Sequence, residues 1–263
     1  MCSGLSLKRL KKMVNKDLAL IYDWLCANRL SVNASKTEFI VFRPPRHCSD
    51  VRITLKLHHT TIFESFKIRY LGLILDNKLS WKPHIAELSK KLGRGVGMLY
   101  KIRPFCSDSV MRTLYYSLFN SHLCYGLVVW GNANKTDLNK ITSLQNKAIK
   151  VLSKNTHFHE TEISQKYLEL RVLKFEDQFF YLMSSLMWDY EHNSLPSSLS
   201  QKFKKVNTMH NLNTRASSHG NLYCPKVNTK KYGMKSFRYQ GAKILNDIIR
   251  MNIYRIEDKK VPF

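Results

Sequence analysis

The 263-residue chain is 44% apolar and carries 43 Lys and Arg against 19 Asp and Glu, a formal net charge of +24. Such a chain can bury a sizeable core in one or two domains, and its basic excess makes a polyanion the expected partner. No apolar run approaches the ~20 residues of a membrane-spanning helix and no signal-peptide pattern is present, so we expect an intracellular protein, nuclear or cytoplasmic and not secreted.

The positive charge is unevenly distributed. Residues 1–100 and 201–263 each carry +11, whereas residues 101–200 carry only +2. This distribution predicts a near-neutral helical middle between two basic parts that face phosphates. An anionic membrane surface would also fit the charge alone. The six cysteines are scattered without any C-x-x-C pair, which favours a reduced protein and argues against a structural zinc site.

The first third of the chain is predicted to combine one helix with strands. Apolar residues at steps of three and four predict an amphipathic helix over residues 5–28. It has no convincing cap or preceding strand, so we expect the sequence to start inside a larger domain. Short strands are predicted at residues 38–42, 51–57, 60–63 and 68–75, the last buried on both faces with Gly72 inside it.

From Trp81 onward the pattern becomes helical. Helices are predicted over residues 82–102, 108–123, 135–154, 160–170, 174–191 and 235–251, with Ser80 and Asp108 as N-caps. Residues 194–234 lack periodicity and are predicted to be linker or loosely held surface. The fold class is therefore α+β: a small antiparallel sheet with one helix, followed by a mostly helical part.

Residues suited to metal or nucleotide chemistry are scarce. Metal-assisted phosphoryl transfer needs paired carboxylates, and the sequence has no Asp-Asp pair. Glu176-Asp177 lies in a helical pattern and is read as a solvated face, and His157-Phe158-His159 is read as a loop rather than a metal site. Gly93, Gly95 and Gly97 are read as a pliable or closely packed helix rather than a phosphate cradle.

Some polar and aromatic residues allow two readings. Lys36 lies between a turn and a strand, so it is either a solvated lysine or a cation held in place by the sheet. Tyr115, Tyr116, Tyr125 and Trp130 could stack on bases, but their helical spacing favours core packing.

Several motifs in order resemble the reverse transcriptases of non-LTR (LINE-type, jockey-like) retrotransposons. Residues 24–37, WLCANRLSVNASKT, resemble the family's W-x-x-x-N-x-L-x-x-N-x-x-K-T pattern, which follows its catalytic-aspartate strand. Tyr70-Leu71-Gly72 is similar to the primer-grip segment, and Leu79-Ser80-Trp81 with His84 is similar to the entry to the thumb. Similar thumb and tail motifs are L-Y-x-S-L at 114–118, L-Q-N-K-A at 144–148 and H-N-x-N-T-R at 210–215.

This resemblance implies a polymerase fragment: residues 1–79 as the end of the palm, 80–193 as a helical thumb and 194–263 as a basic C-terminal extension. It implies that the paired aspartates lie outside the sequence, so no cofactor is expected here although the intact enzyme would use Mg²⁺. Lys36 would lie near the nucleotide's phosphates. The expected nucleic-acid contacts are Tyr70, Leu71, Gly72, Trp81, His84, Lys90, Lys91, Arg94 and Arg215.

Two functional hypotheses follow. The first is a reverse transcriptase fragment that holds RNA and an RNA–DNA duplex, inactive alone, with the N-terminal part of the polymerase as a further partner. The second is a non-catalytic RNA-binding or scaffolding protein derived from a retroelement. A membrane-surface protein is a third reading that rests on charge alone, and no membrane partner is expected.

Overall fold

The fold is that of a computed structural model, which describes residues 6–43, 52–154, 160–209, 212 and 214–251. The chain divides into two compact units, Met1–Glu87 and Leu88–Phe263. The predicted loop histidines at 157 and 159, and residues 210, 211 and 213 of the tail motif, lie outside the described residues.

In the first unit a helix packs on a β-hairpin. Helix α1 (Leu7–Ala27) lies against strand β1 (Thr54–Leu57), which pairs in antiparallel register with β2 (Thr60–Phe63). The Nζ of Lys11 donates to the Thr54 hydroxyl at 3.3 Å, and the Lys56 amide donates to Asn15 Oδ1 at 2.9 Å. These side-chain bonds fix the helix on the strand, as the predicted helix and hairpin require.

The predicted strand at residues 38–42 is wrong. Only Phe39 pairs, through one parallel bridge to Glu64, although the segment is anchored by a 2.7 Å ion pair between Arg43 and the Glu64 carboxylate. Glu64 is buried and its Oε2 also accepts the Ile53 amide at 3.1 Å. Side-chain anchoring therefore replaces the expected strand ladder.

The single buried strand predicted at residues 68–75 is also wrong. The segment is a second antiparallel hairpin, β3 (Lys67–Tyr70) and β4 (Leu73–Asp76), separate from the first sheet. Leu71 and Gly72 form the turn with φ values of 45° and 78°. Positive φ at both turn residues gives the type I′ geometry that matches strand twist, and Gly72 adopts it at little cost.

The second unit is helical, as predicted. Helix α2 (Lys82–Ile102) crosses the division between the units. The other predicted helices are found with similar bounds, except that the helix predicted over 108–123 is interrupted by a π-helical turn, and three further helices of four residues each were not predicted. The elements after α2 are α3 (Asp108–Tyr115), a π-helical turn (Tyr116–Asn120), α4 (Ser121–Cys124), α5 (Leu127–Trp130), α6 (Lys135–Leu152), α7 (Glu160–Glu169), α8 (Phe175–Glu191), α9 (Ser197–Ser200), α10 (Arg215–Ser218) and α11 (Phe237–Arg250).

Two helix starts differ from the predicted caps by one residue. Ser107, not Asp108, is the N-cap of α3, because the Ser107 hydroxyl accepts the Val110 amide. The residue directly before α2 is Trp81, and Ser80 lies one residue earlier. The Oγ of Ser80 still accepts the Lys82 amide at 3.3 Å. Both serine hydroxyls accept a helix amide, but only Ser107 does so from the N-cap position.

The segment predicted as linker or loosely held surface, residues 194–234, packs into the core at two of its described positions. Phe203 and Leu222 are buried with Met187 of α8 and Ala242 and Leu245 of α11. Phe203 and Leu222 therefore belong to the core of the second unit, whereas Met209 and Leu212 of the same segment are exposed.

Candidate nucleic-acid interface

The tip of the β3–β4 hairpin displays two large apolar side chains. Tyr70, the last residue of β3, is 61% exposed, and Leu71, the first residue of the turn, is 73% exposed. The paired strands hold this tip on a regular ladder, and Arg69 is tied to Glu87 by a 2.6 Å ion pair. Tyr70, Leu71 and Gly72 are thus brought together as an exposed surface, with no side chain on Gly72 to block access.

Asp76 organises the connection from β4 to α2. Its carboxylate accepts the Ser80 amide at 2.8 Å, the Ser80 hydroxyl at 2.9 Å and the Trp81 amide at 3.2 Å. Leu79 and Trp81 have φ values of 45° and 62°, a conformation that needs such support in non-glycine residues. A buried carboxylate therefore sets the orientation of Trp81.

Trp81 and His84 contact each other but differ in exposure. Their rings meet edge to face with centroids 6.3 Å apart, Trp81 partly exposed and His84 buried. The Nδ1 of His84 accepts the amide of Ile74 at 3.4 Å. His84 thus lies against strand β4, and Trp81 is the more accessible of the two.

Lys36 ends a short 3₁₀ turn, Ala34–Lys36, whose geometry is set by Asn33. Asn33 Oδ1 accepts the Lys36 amide at 3.2 Å, and the Asn33 carbonyl accepts the Thr37 hydroxyl at 2.9 Å. The Lys36 side chain is exposed and forms no ion pair within the described part of the chain. A held backbone with a free ammonium is the arrangement that a phosphate contact needs.

Within the second unit, one face of α2 is a basic stripe, defined here as Lys90, Arg94, Gly97 and Lys101. The opposite face, which includes Leu92, Gly95 and Leu99, is buried. The stripe members are exposed, follow steps of four, three and four residues, and extend about 16 Å along the helix. Lys91 lies beside them and is partly buried.

The stripe is uncompensated and sterically open. Lys90, Arg94 and Lys101 make no ion pair to any residue that the structure describes, and a side chain added at Gly97 would meet no atom within 4 Å. On the other face, a Cβ at Gly95 would lie 2.9 Å from the Leu118 carbonyl oxygen. The predicted close packing of the helix glycines is therefore found at Gly95, whereas Gly97 lies on an open surface.

Lys101 was not among the predicted site residues. The signal was in the sequence, since Lys90, Arg94 and Lys101 share one helical face by spacing alone. Arg215, which was predicted, is exposed at the start of the four-residue helix α10 and does not lie on α2. Lys36, the hairpin tip, the basic stripe and Arg215 are thus on four different elements.

Of the aromatic residues considered for stacking, two are core and two are exposed. Tyr115 and Trp130 are fully buried, and burial raises the pKa of the Tyr115 phenol above its usual range. Tyr116 donates from its hydroxyl to the Arg171 carbonyl at 3.1 Å, and Tyr125 is exposed. Core packing is confirmed for the first pair only.

Acidic residues offer little for metal binding in the described ranges. Glu176 accepts a hydrogen bond from Thr142 at 3.3 Å, and Asp177 is exposed on α8. No group of three His, Cys, Asp or Glu side chains within the described residues is placed to hold an ion. In the same residues, no helix combines the length and the apolar character needed to cross a bilayer.

Comparison with known proteins gives similarity over about half of the chain or more. The chain is 30% identical, over 177 residues, to the RNA-directed DNA polymerase from mobile element jockey of Drosophila melanogaster. This alignment covers 65% of the chain and 18% of the relative. The chain is 29% identical over 135 residues, 50% of this chain and 14% of the relative, to the jockey polymerase of Drosophila funebris.

These alignments cover only a small part of the relatives. The chain spans less than one fifth of the length of the curated relatives it matches. No family model matches the sequence. No solved structure matches it either.

Proposed function

Sequence similarity relates this chain to the RNA-directed DNA polymerases of non-LTR retrotransposons, and on that premise we propose that it binds template–primer nucleic acid. In this proposal residues 1–79 correspond to the end of the palm, 80–193 to the thumb and 194–263 to a C-terminal extension. The bound form is an RNA–DNA duplex or its RNA strand, held through phosphates.

The observation that carries the proposal is the basic stripe on α2. Three cations without an acidic partner among the described residues face solvent along one helix. Gly97 lies between Arg94 and Lys101 and has no side chain, so a ligand can approach the helix backbone there. A duplex presents regularly spaced phosphates that such a row neutralises with release of counterions. This binding is insensitive to base sequence, because phosphate contacts carry no sequence information.

The first unit supplies contacts of a different kind. Tyr70 and Leu71 at the hairpin tip are apolar, exposed and held by paired strands, which suits contact with a sugar or base at a primer end. Trp81 is oriented by Asp76, and the exposed ammonium of Lys36 is suited to a nucleotide phosphate. We propose His84 as support for this group rather than as a direct contact, because it is buried.

We also propose that the 263-residue chain does not polymerise by itself. Two-metal phosphoryl transfer requires carboxylates that hold Mg²⁺ ions about 4 Å apart, and the sequence contains no Asp-Asp pair to do so. Purified chain incubated with primer–template, nucleotides and Mg²⁺ or Mn²⁺ should give no extension. Extension above background that is retained after repurification would contradict this part of the proposal.

Binding is tested by fluorescence anisotropy with a labelled RNA–DNA duplex over a series of salt concentrations. The double variant Lys90→Gln/Arg94→Gln should weaken binding and make the log–log salt slope shallower by about 1.8, at about 0.9 per lost contact. The matched control is Lys135→Gln/Lys147→Gln, which removes the same charge from exposed positions on α6. If the control variant bound the duplex as weakly as the α2 variant, the proposal would be contradicted.

A further inference from the structure

A short two-stranded ribbon in the second unit places cations on a fixed backbone. The Val206 amide donates to the Asn221 carbonyl at 2.9 Å, and the Tyr223 amide donates to the Lys204 carbonyl at 2.8 Å. Between them Lys205 and Leu222 form an antiparallel bridge. We call residues 202–206 and 221–223 the lysine ribbon.

Alternation along the lysine ribbon separates its two faces. Phe203 and Leu222 are buried against α8 and α11, so Lys204 points the opposite way, with Tyr223 across from it. Lys202 lies just before, in the turn that ends α9, where its amide donates to the Leu199 carbonyl at 3.0 Å. Both lysines are exposed, Tyr223 is half-buried, and neither lysine pairs with an acidic group of the described residues.

The ribbon is held from behind by its neighbours. Asn246 of α11 clamps Leu222, accepting its amide at 2.7 Å and donating to its carbonyl at 2.9 Å. Lys205 is drawn toward Glu191 of α8, with Nζ 3.4 Å from the carboxylate. The outward lysines therefore project from a backbone that does not need to order on binding, which lowers the entropic cost of a contact.

The stretch of sequence that contains the ribbon is strongly basic, although Glu191 of α8 lies beside Lys205. Residues 194–251 contain eleven Lys and Arg residues and a single acidic residue, Asp247. Asp247 itself lies 3.4 Å from Arg250. A surface with this imbalance attracts a polyanion and raises its local concentration.

We propose that the lysine ribbon is a second nucleic-acid contact surface, which binds the phosphates of a single RNA strand through Lys202 and Lys204 while Tyr223 lies against a sugar or base. The proposal rests on the proposed function for the kind of ligand, but it assigns residues on different elements from α2. Two exposed lysines close in sequence beside a half-buried tyrosine suit a strand that presents both phosphates and unpaired bases. A membrane surface is disfavoured, because interfacial binding inserts apolar side chains and Phe203 points inward.

The first test compares variants in binding to a short unstructured RNA. Lys202→Gln/Lys204→Gln should bind several-fold more weakly, with a log–log salt slope shallower by about 1.4, at about 0.7 per contact on a single strand. The control Lys135→Gln/Lys147→Gln should match the wild type. Circular dichroism melts of both variants check that the fold is retained.

The second test needs no variant. Acylation of lysine amines in the wild-type chain, read by mass spectrometry, should show Lys202 and Lys204 protected by RNA while Lys147 is not. Unprotected ribbon lysines in a chain that still binds RNA would overturn the inference and leave the proposed function intact. A wild-type chain that binds no nucleic acid would overturn both.

Lipid binding gives a further outcome. Vesicles with and without phosphatidylserine are sedimented with the wild type and the ribbon variant. If the ribbon variant lost vesicle binding but bound RNA like the wild type, the surface would be a membrane contact and the inference would be wrong.

Discussion

Gln145 donates from Nε2 to the phenolic oxygen of Tyr115 at 3.0 Å, and the same amide also joins α6 to the start of α8. Its Nε2 reaches the Leu173 carbonyl at 2.9 Å, and its Oε1 accepts the Phe175 amide at 2.9 Å. Gln145 is fully buried, so all three bonds form away from water. One side chain thus bonds a phenol, a carbonyl and an amide of the second unit, of which Tyr115 and Phe175 are buried.

Replacement of Gln145 by Leu should lower the free energy of unfolding by about 3 kcal/mol, because buried partners left without a hydrogen bond keep their desolvation cost. Urea denaturation followed by circular dichroism measures the change. The control is Gln165→Leu, at an exposed position on α7, which should change stability little. Equal losses for the two variants would show that the network does not stabilise the unit.

The two glycine environments on α2 predict opposite signs for the same substitution. Gly95→Ala should destabilise by about 1–3 kcal/mol, because its Cβ would lie 2.9 Å from the backbone oxygen of Leu118. Gly97→Ala should stabilise by about 1 kcal/mol through helix propensity, since nothing lies within 4 Å. Thermal melts of both variants measure the difference, and the same sign for both would contradict the close approach of Gly95 to the Leu118 carbonyl.

Removal of the Asp76 carboxylate should destabilise the entry to α2. Asp76→Ala loses the acceptor for two amides and one hydroxyl and should cost about 1–3 kcal/mol. Asp76→Asn keeps one oxygen acceptor and should cost less. Amide hydrogen exchange at Ser80 and Trp81 should accelerate in the Ala variant, and unchanged exchange there would mean that the carboxylate does not hold the turn.

Acid should remove the stabilising effect of one ion cluster. The hydrogen bond from Arg103 and the nearby charge of Lys154 lower the pKa of Asp108 below its ordinary value of 3.8. A carboxyl with a lower pKa in the folded state stabilises at neutral pH, and this contribution is lost as the pH falls below about 3.8. The stability difference between wild type and Asp108→Asn, measured from pH 7 to pH 2, should therefore shrink at the acid end.

The helical part of the fold was predictable because its apolar residues repeat over long stretches. Helix α2 has the predicted bounds, 82 and 102, and α8 starts within one residue of its prediction. The hairpin at Leu71–Gly72 was missed because the same apolar sequence pattern fits one long strand and two short strands. The two are distinguished by the positive φ values of the turn residues, which the pattern does not show. The packing of Leu222 was missed because its partner Asn246 lies 24 positions away.

The candidate site was predictable only in part, for a related reason. Lys90, Arg94 and the residues at 70–72 belong to local motifs, and the structure places them at the surface. Lys204 belongs to an extended stretch too short to be recognised from the sequence, and the bridge from Lys205 to Leu222 reveals which way it points. The burial of His84 depends on β4, which local sequence does not specify.

The bond between His84 and Ile74 has a consequence for self-association. In a two-stranded sheet each strand has one side open to a further strand, and the Ile74 amide, next to the hydrogen-bonded pair that closes the turn, points to that side. The imidazole accepts this amide at 3.4 Å and so occupies the position where a strand from a second molecule would begin to pair. The histidine therefore blocks the pairing of β4 with a strand of another molecule at this amide.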